Sequence, residues 1–258
     1  MNQLLNIYKP TGVTPLQLVQ QLRREKPEYE KVKIGYAGRL DPMAHGVMLL
    51  MVGEETKNRE KYLSLPKSYE FTVMFGVETD TYDILGLLKD TKSNQTPSNA
   101  NLIVNSFVSS KIGTQIQKYP SYSSKTVQGK PLFWWAKNNR LAEIEIPEHE
   151  ISIDSFSIIS FKKIQRETLH QQITKNISSL KGDFRQKEIL KSWKDFFQTN
   201  PDPTFPLATF TITCSSGTYV RGLADELGKE LGCGAITLDI LRTQLGEFEC
   251  NKSVRFLS

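Results

Sequence analysis

The chain has 258 residues, of which 38% are hydrophobic and 24% are charged, enough for one large domain with a buried core. Its formal net charge of +5 fits an anionic partner without requiring one. Three cysteines without a C-x-x-C pair predict neither a disulfide framework nor a zinc site. With no signal-like leader and no apolar run of about 18 residues, the expected location is the cytoplasm.

The first part of the chain is predicted to form a strand, a turn and a helix, followed by two further strands. Residues 4–8 form the first strand, and Thr14 and Pro15 are typical of a helix N-cap and first turn. The apolar run at 47–52 predicts a buried strand, although the pattern alone leaves a buried helical turn open. Residues 69–75 alternate as a half-buried strand does.

The middle of the chain is more irregular. Asp80 and Asp83 lack a third ligand at useful spacing, so a metal site is not expected there. Residues 94–101 read as a linker into a short helix at 100–109. The stretch at 117–150, which contains a Phe-Trp-Trp cluster, is predicted to be a long loop with some helix. The tryptophans either pack this loop down or take part in its function.

Residues 162–200 are the clearest candidate for an insertion. Apolar residues recur there at helical spacing in two groups, and Gly182 is predicted to end the first helix. The segment holds nine Lys or Arg and four Asp or Glu, so its net charge of +5 equals that of the whole chain. A helical hairpin is predicted, with its charge either on a solvated surface or on a phosphate-facing patch.

A strand at 207–214 and a helix at 220–231, closed by Gly232, are predicted near the C-terminal end. Arg221 lies in the first turn of that helix, where the macrodipole disfavours a cation. Asp41, held in an extended conformation before Pro42, is an available partner for this arginine. Such a pair is either a structural ion pair or part of a reactive site.

Several common catalytic signatures are missing from the sequence. It has no G-x-S-x-G elbow, no G-x-x-x-x-G-K-[ST] phosphate loop and no H-E-x-x-H motif. Its three histidines, His45, His149 and His170, have no partner at ligand spacing. Metal chemistry and nucleotide-cofactor chemistry are therefore not expected.

Six motifs in order resemble those of the TruB family of tRNA pseudouridine synthases. They are Lys9-Pro10-Thr11-Gly12-Val13-Thr14-Pro15, GYAGRLDPMAHG at 35–46, Lys67-Ser68-Tyr69 with Gly76 to Gly86, QGKPL at 128–132, CSSGTYVRGLADELGKELGCGA at 214–235, and Arg242-Thr243 with Gly246 and Phe248. Each motif alone is weak, but their shared order over most of the chain is specific.

The resemblance implies an α+β pseudouridine synthase fold, with a central mixed, mostly antiparallel sheet flanked by helices and loops. It implies a single catalytic domain over 1–258 that includes a thumb-like RNA-binding loop at 117–150 and the basic insertion at 162–200, without a C-terminal PUA domain. The implied reaction converts the T-arm uridine of tRNA conventionally numbered 55 to pseudouridine. The family flips the base and uses neither cofactor nor metal, and a monomer is the default expectation.

The family's functional residues carry over onto matching positions. Asp41 is the implied catalytic aspartate, Arg221 its salt-bridge partner, and Tyr69 the tyrosine that stacks on the base and is implicated in proton removal. The residues expected to bind substrate are Lys9, Tyr36, Arg39, Lys130, Ile240 and Arg242. Asp41 can act as a nucleophile at C1′ or as a base at C2′, and the sequence does not decide between them.

Four positions depart from the family pattern. Tyr36 stands where most members have histidine, Pro15 replaces a serine, and Leu241 and His149 each replace an arginine. These changes keep open an RNA-binding or tRNA-folding module with weakened catalysis. A synthase for another RNA is also open, because the shape of the RNA loop sets the isomerisation site more than the catalytic residues do. The basic hairpin at 162–200 is not a standard family feature, and we hypothesise that it contacts tRNA.

Overall fold

The computed structural model describes residues 2–89 and 96–256. Its strands are β1 (Gln3–Lys9), β2 (Ile34–Ala37), β3 (His45–Val52), β4 (Lys67–Phe75), β5 (Gly113–Lys118), β6 (Thr126–Val127), β7 (Lys130–Pro131), β8 (Glu148–Gln165), β9 (Thr204–Cys214), β10 (Ala235–Leu245) and β11 (Phe248–Glu249). Its α-helices are α1 (Pro15–Glu25), α2 (Arg59–Leu63), α3 (Ala100–Ser110), α4 (Leu132–Lys137), α5 (Arg166–Ser178), α6 (Gln186–Thr199) and α7 (Val220–Leu231).

Nine of these strands form one central sheet. Its order is β1-β3-β10-β4-β9-β8-β5, with β2 added beside β3 and β11 beside β10. Every pairing is antiparallel except that of β3 with β10, which is parallel. The expected mixed, mostly antiparallel sheet with flanking helices is thus confirmed. None of the helices within 2–89 and 96–256 is long and apolar enough to cross a bilayer.

The seam between β3 and β10 is narrow. Only Leu241 with His45 and Arg242 with Gly46 are paired across it. Gly46 has φ of +106°, and a Cβ there would lie 2.3 Å from the carbonyl oxygen of Arg242. Glycine is required at this position because neither the backbone conformation nor the space admits a side chain.

Several sequence predictions are confirmed. The strands predicted at 4–8, 47–52, 69–75 and 207–214 are β1, β3, β4 and β9. Helix α1 begins with a capping box in which the Thr14 hydroxyl accepts from the backbone N–H of Gln17, and the Gln17 side chain accepts from the N–H of Thr14. Helix α7 ends at Gly232 in the left-handed conformation, as predicted.

Two segments differ from their predictions. The stretch at 117–150 begins within β5, contains the β6–β7 hairpin and α4, and runs into β8, so it carries more strand than expected. Residues 94 and 95 of the predicted linker lie outside the described residues, and the helix after it is α3. Strands β1, β3, β4 and β9 were predicted from the sequence, and the other seven strands of the described residues were not.

The segment predicted to be an insertion forms a helical hairpin, but its boundaries are shifted. Strand β8 continues to Gln165 because its last residues still pair with β9, so the helical part begins at Arg166. Helix α5 ends at Ser178 rather than at Gly182. Leu180, which extended the apolar spacing, is buried without being helical, because it packs in the core as the chain turns.

Two main apolar clusters cover the sheet. Helices α1, α3 and α7 pack in the larger cluster, together with residues of β3, β4, β8 and β9. Helices α5 and α6 form the second cluster with Met74, Ile84, Leu85, Ile236 and Leu238. The second cluster anchors the insertion against the loop that follows β4, next to the site described below.

Candidate active site

A cleft of about 680 Å³ opens beside the loop that joins β2 to β3. This volume is within the usual range for a small-molecule or nucleotide pocket. Its lining includes Tyr36, Asp41, Tyr69, Tyr219, Arg221 and Ile240. Residues from an early loop, the middle of the sheet and the start of α7 therefore meet in one place.

Asp41 and Arg221 form an ion pair at the base of this cleft. The Arg221 Nε donates to Asp41 Oδ2 at 2.7 Å. The arginine side chain is only 3% exposed, whereas the aspartate side chain is 37% exposed. The guanidinium is therefore sealed in the protein while its partner carboxylate faces the open cleft.

Arg221 has further partners that compensate for its unfavourable place in the first turn of α7. Its Nη1 donates to the carbonyl of Thr81 at 2.9 Å, and its Nη2 to that of Tyr122 at 3.1 Å. Burial acts to lower the pKa of Arg221, but the charges of Asp41 and Asp83 outweigh it and raise that pKa. The arginine is held in one orientation by three segments of the chain.

The start of α7 is held by a residue that the sequence did not single out. The buried Gln117 side chain accepts from the backbone N–H of Tyr219 at 2.9 Å and donates to its carbonyl at 3.1 Å. Tyr219 is the N-cap of α7 and makes no side-chain cap bond. Gln117 thus supplies the missing cap from β5 and fixes the turn that presents Arg221.

Asp83 is a second carboxyl near Arg221 and, unlike Asp41, it is buried. Its Oδ1 accepts from the Thr81 hydroxyl at 2.6 Å and from the backbone N–H of Leu85 at 2.9 Å. Burial raises the pKa of Asp83 to about 6, against the opposing effect of Arg221. From the sequence, Asp83 was considered only as a metal ligand. In the structure its hydrogen bonds instead stabilise the loop next to Arg221.

Tyr69 lies on β4 directly opposite Arg242 of β10. Burial raises the pKa of its phenol to about 12, although the neighbouring Arg242 acts to lower it. The hydroxyl is therefore protonated at neutral pH, and the ring lies in the cleft wall. This arrangement suits stacking against a planar base, whereas proton removal by Tyr69 requires the phenol to pass its own proton on.

The predicted substrate-binding residues fall into three groups. Tyr36, Arg39 and Ile240 line the cleft, and Arg39 is exposed there. Arg242 also lines it but is buried in the floor, where its Nε donates to the carbonyl of Val47 at 2.7 Å. Lys9 and Lys130 are not among the cleft-lining residues.

Lys9 lies beneath the loop that carries Asp41. Its buried Nζ donates to the carbonyls of Val13 at 2.6 Å, Pro10 at 3.0 Å and Pro42 at 3.4 Å. Burial lowers the pKa of Lys9 to about 7, with Asp41 acting in the opposite direction. These contacts tie the loop of the first motif to the Asp41-Pro42 turn.

Lys130 belongs to the β6–β7 hairpin, away from the cleft lining. Its Nζ lies 3.5 Å from the ring centroid of Trp134. Arg140 approaches the same ring at 5.5 Å. The tryptophan cluster therefore packs with cations of its own loop, which leaves the expected RNA contact of Lys130 a prediction.

Two of the departures from the family pattern have identifiable contacts. The ring of His149 stacks on that of Tyr119 with centroids 4.1 Å apart, and its Nε2 lies 3.1 Å from the carbonyl oxygen of Gly217. Leu241 is paired with His45 across the β3–β10 seam. Both positions now support the elements around the cleft.

The insertion also reaches the cleft, through Phe184 and Arg185 of the loop between α5 and α6. Arg185 pairs with Asp80, and its guanidinium lies 4.5 Å from the ring centroid of Tyr122. The sequence predicted the insertion but gave no signal that its loop lines this site. These contacts join residues that lie far apart in the chain.

A profile of the TruB family pseudouridylate synthase N-terminal domain matches residues 26–184. The chain belongs to this family. Similar TruB relatives include the tRNA pseudouridine synthase B of Syntrophobacter fumaroxidans, 31% identical over 95% of this chain and 64% of that protein. The enzyme of the same name from Clostridium acetobutylicum is 30% identical over 98% of this chain and 71% of its own length.

Solved structures with this fold lie further away in sequence. A Cbf5-Nop10-Gar1 complex matches with a TM-score of 0.58 at 16% identity, over 98% of this chain and 52% of that one. An H/ACA RNP bound to a substrate RNA containing 2′-deoxyuridine matches with a TM-score of 0.56 at 15% identity, over 98% and 50%. The TruB chain thus spans about two thirds of the first curated relative and half of these structures.

Proposed function

We propose that this TruB-family chain isomerises uridine to pseudouridine in tRNA, at the T-arm position conventionally numbered 55. One observation carries the proposal: a buried arginine holds a carboxylate at 2.7 Å beside a nucleotide-sized cleft, and the carboxylate side chain is 37% exposed whereas that of the arginine is 3% exposed. A purely structural ion pair has no need of such an opening. The names of the curated relatives support the same activity.

The reaction requires the target uridine to leave its base stack. Breaking the N1–C1′ bond, turning the base and joining C5 to C1′ cannot take place inside a helix. Extrusion costs about a few kcal/mol, which stacking and apolar contacts in the pocket offset. Tyr69 and Ile240 are placed in the cleft wall for those contacts.

Asp41 is the proposed reactive group. An ionised carboxylate can attack C1′ as a nucleophile or remove the C2′ proton as a base, and both routes start from the same charged form. Arg221 holds this carboxylate in place, because its own charge is fixed 2.7 Å away and is shielded from water. Arg221 is then a partner of the reactive group rather than a contact to RNA phosphate.

Other parts of the chain are assigned supporting roles. The stretch at 117–150 contributes Tyr122 and Phe133 to the cleft, which supports a thumb-like loop over the RNA. The cleft is assembled within one chain, so the proposal needs only a monomer. The three cysteines are unpaired, which fits the reducing cytoplasm.

The test is an assay for pseudouridine in T-arm stem-loop RNA, with the wild type and Asp41→Asn. The wild type is expected to form the product and the variant to bind RNA without forming it. Tight binding by an inactive wild type would indicate an RNA-binding or tRNA-folding module. Product only in another cellular RNA would move the proposal to that substrate.

A further inference from the structure

Arg185, in the loop between α5 and α6, connects three segments at the cleft. Its Nη1 lies 2.7 Å from Asp80 Oδ2 and its Nη2 3.2 Å from Asp80 Oδ1, so the pair is bidentate. The same guanidinium lies over the Tyr122 ring. The two charged side chains are only 21% and 26% exposed, which makes the contact stronger than a typical surface pair.

The residues that Arg185 holds are those that orient Arg221. Arg221 donates to the carbonyls of Thr81 and Tyr122. Asp80 is the neighbour of Thr81 in the chain, and Tyr122 is the aromatic residue beneath Arg185. One arginine of the insertion therefore fixes both segments that supply backbone acceptors to the partner of Asp41.

The loop around Asp80 is closed by further contacts of the same carboxylate. Asp80 Oδ1 accepts from the backbone N–H of Leu87 at 2.8 Å while it also accepts from Arg185. The Leu88 N–H lies 3.3 Å from the hydroxyl oxygen of Ser192 on α6. Movement of the insertion would therefore be transmitted directly to the loop that carries Thr81.

The insertion is anchored firmly enough to act as a fixed support. Ile189, Trp193 and Phe197 of α6 are buried, and the Trp193 indole N–H donates to the carbonyl of Ile84 at 3.1 Å. Arg185 itself has φ of +62°, an uncommon conformation for a residue other than glycine. The packed helix and the Asp80 pair hold it there.

We propose that Arg185 is a positioning residue for Arg221, and that the helical insertion thereby belongs to the catalytic apparatus of this protein. This inference rests on the proposed function. It differs from a phosphate-contact role because Arg185 acts through backbone carbonyls on the partner of Asp41. Loss of the pair should lower the rate of the chemical step more than it weakens RNA binding.

The test compares Arg185→Gln with Lys187→Gln, a control that makes the same charge change at an exposed residue of the insertion. For Arg185→Gln we expect kcat on T-arm RNA to fall about 10-fold with KM within about 2-fold, because orientation is lost but binding is kept. Lys187→Gln should leave kcat unchanged, and any contribution of Lys187 to RNA binding should change KM alone. Arg185→Lys, which keeps the charge but not the bidentate pair, should recover part of the loss.

Hydrogen exchange supplies a readout that does not depend on activity. The backbone N–H of Leu87, which donates to Asp80, should exchange faster in Arg185→Gln than in the wild type or Lys187→Gln. A higher KM with unchanged kcat would overturn the proposal in favour of an RNA contact. Unchanged kcat and unchanged exchange would refute it outright.

Asp80→Asn removes the pair from the other side and covers the case in which Arg185→Gln folds poorly. The double variant with Arg185→Gln should lose little more kcat than either single variant, because both changes break one interaction. Additive losses would contradict the proposal. An inactive wild type whose Leu87 exchange still depends on Arg185 would place the failure in the proposed function instead.

Discussion

The two Arg–Asp pairs at the cleft have the same shortest distance but opposite arrangements. Asp41 uses one oxygen to accept from Arg221, whereas both oxygens of Asp80 accept from Arg185. Within the described part of the chain, the second Asp41 oxygen accepts no hydrogen bond. In the first pair the arginine is buried and one oxygen of Asp41 stays available on the cleft side. In the second pair both oxygens of Asp80 are used to connect segments of the chain. Geometry, more than distance, distinguishes the pair that we propose to be reactive from the pair that we propose to support it.

The largest expected difference between the two pairs appears when each carboxylate is neutralised in turn. We expect Asp41→Asn to lower turnover roughly 10⁴-fold, the upper range for a group that takes part in the reaction. Asp80→Asn should cost about 10-fold, because it only misplaces the reacting groups. Single-turnover assays on T-arm RNA measure both. Equal losses would show that the two pairs do not have separate roles.

The next contrast lies in the arginines. Arg221→Lys should slow turnover by about 10²-fold and destabilise the protein by about 2–4 kcal/mol, because one ammonium cannot replace three donors at a buried site. Arg185→Lys should cost less than about 1 kcal/mol at its more exposed site. Urea unfolding gives both values. A larger loss of unfolding free energy for Arg185→Lys than for Arg221→Lys would contradict this explanation, which attributes the difference to the deeper burial of Arg221.

Tyr69→Phe tests whether the hydroxyl of Tyr69, in the cleft wall near the Asp41–Arg221 pair, takes part in proton transfer. The substitution keeps the stacking ring and removes the hydroxyl, so we expect a loss of about 10²-fold if the phenol handles a proton in the reaction. Because the pKa of Tyr69 is raised to about 12, its ionisation should add no rise in wild-type rate between pH 6 and about 9. A loss below about 2-fold would limit Tyr69 to stacking.

The contact between Asp41 and Arg221 could be predicted from the sequence, but the contact between Asp80 and Arg185 could not. Arg221 was conspicuous because a cation in a first helical turn needs compensation, and the motif around Asp41 supplied the partner. Arg185 and Asp80 are 105 positions apart; Asp80 was considered as a metal ligand, and Arg185 was counted only among the charges of the predicted insertion. Their contact depends on how the second apolar cluster docks the insertion, which no local pattern encodes.

The other sequence errors have related causes. A motif match preserves a residue type without giving the direction of its side chain, so Lys9 was expected at the substrate but lies under the Asp41 loop. Leu180 keeps the helical apolar period after α5 has ended, because a buried turn needs the same apolar contact. Strand β8 pairs over 18 residues, yet its outer half carries exposed lysines that resembled the insertion.

The smallest expected effect concerns Lys9, the other cation near Asp41. Its pKa is about 7 in the folded protein and about 10.5 in the unfolded chain, so the unfolded state binds more protons between these values. The free energy of unfolding should therefore rise with pH from 7 to 9, by at most about 1.4 kcal/mol per pH unit from this residue.

Urea unfolding at pH 7, 8 and 9 measures that slope, and Lys9→Met should reduce it. Part of the slope should remain, because burial also lowers the pKa of Lys67 to about 8. An identical slope in the variant would contradict the assignment. The range stops at pH 9 because Cys214, whose pKa burial raises to about 11, contributes in the opposite direction at higher pH.

The glycine at the seam between β3 and β10, Gly46, determines how closely the two sides of the site can approach each other. Asp41 is attached to one side of that seam, while Ile240 and Arg242 are attached to the other. Even one methyl group at Gly46 would push these two strands apart and widen the spacing between the Asp41 carboxylate and the opposite wall of the cleft. The molecule accommodates the hairpin of α5 and α6 beside the cleft, yet at the β3–β10 seam it has no room for a single additional carbon atom.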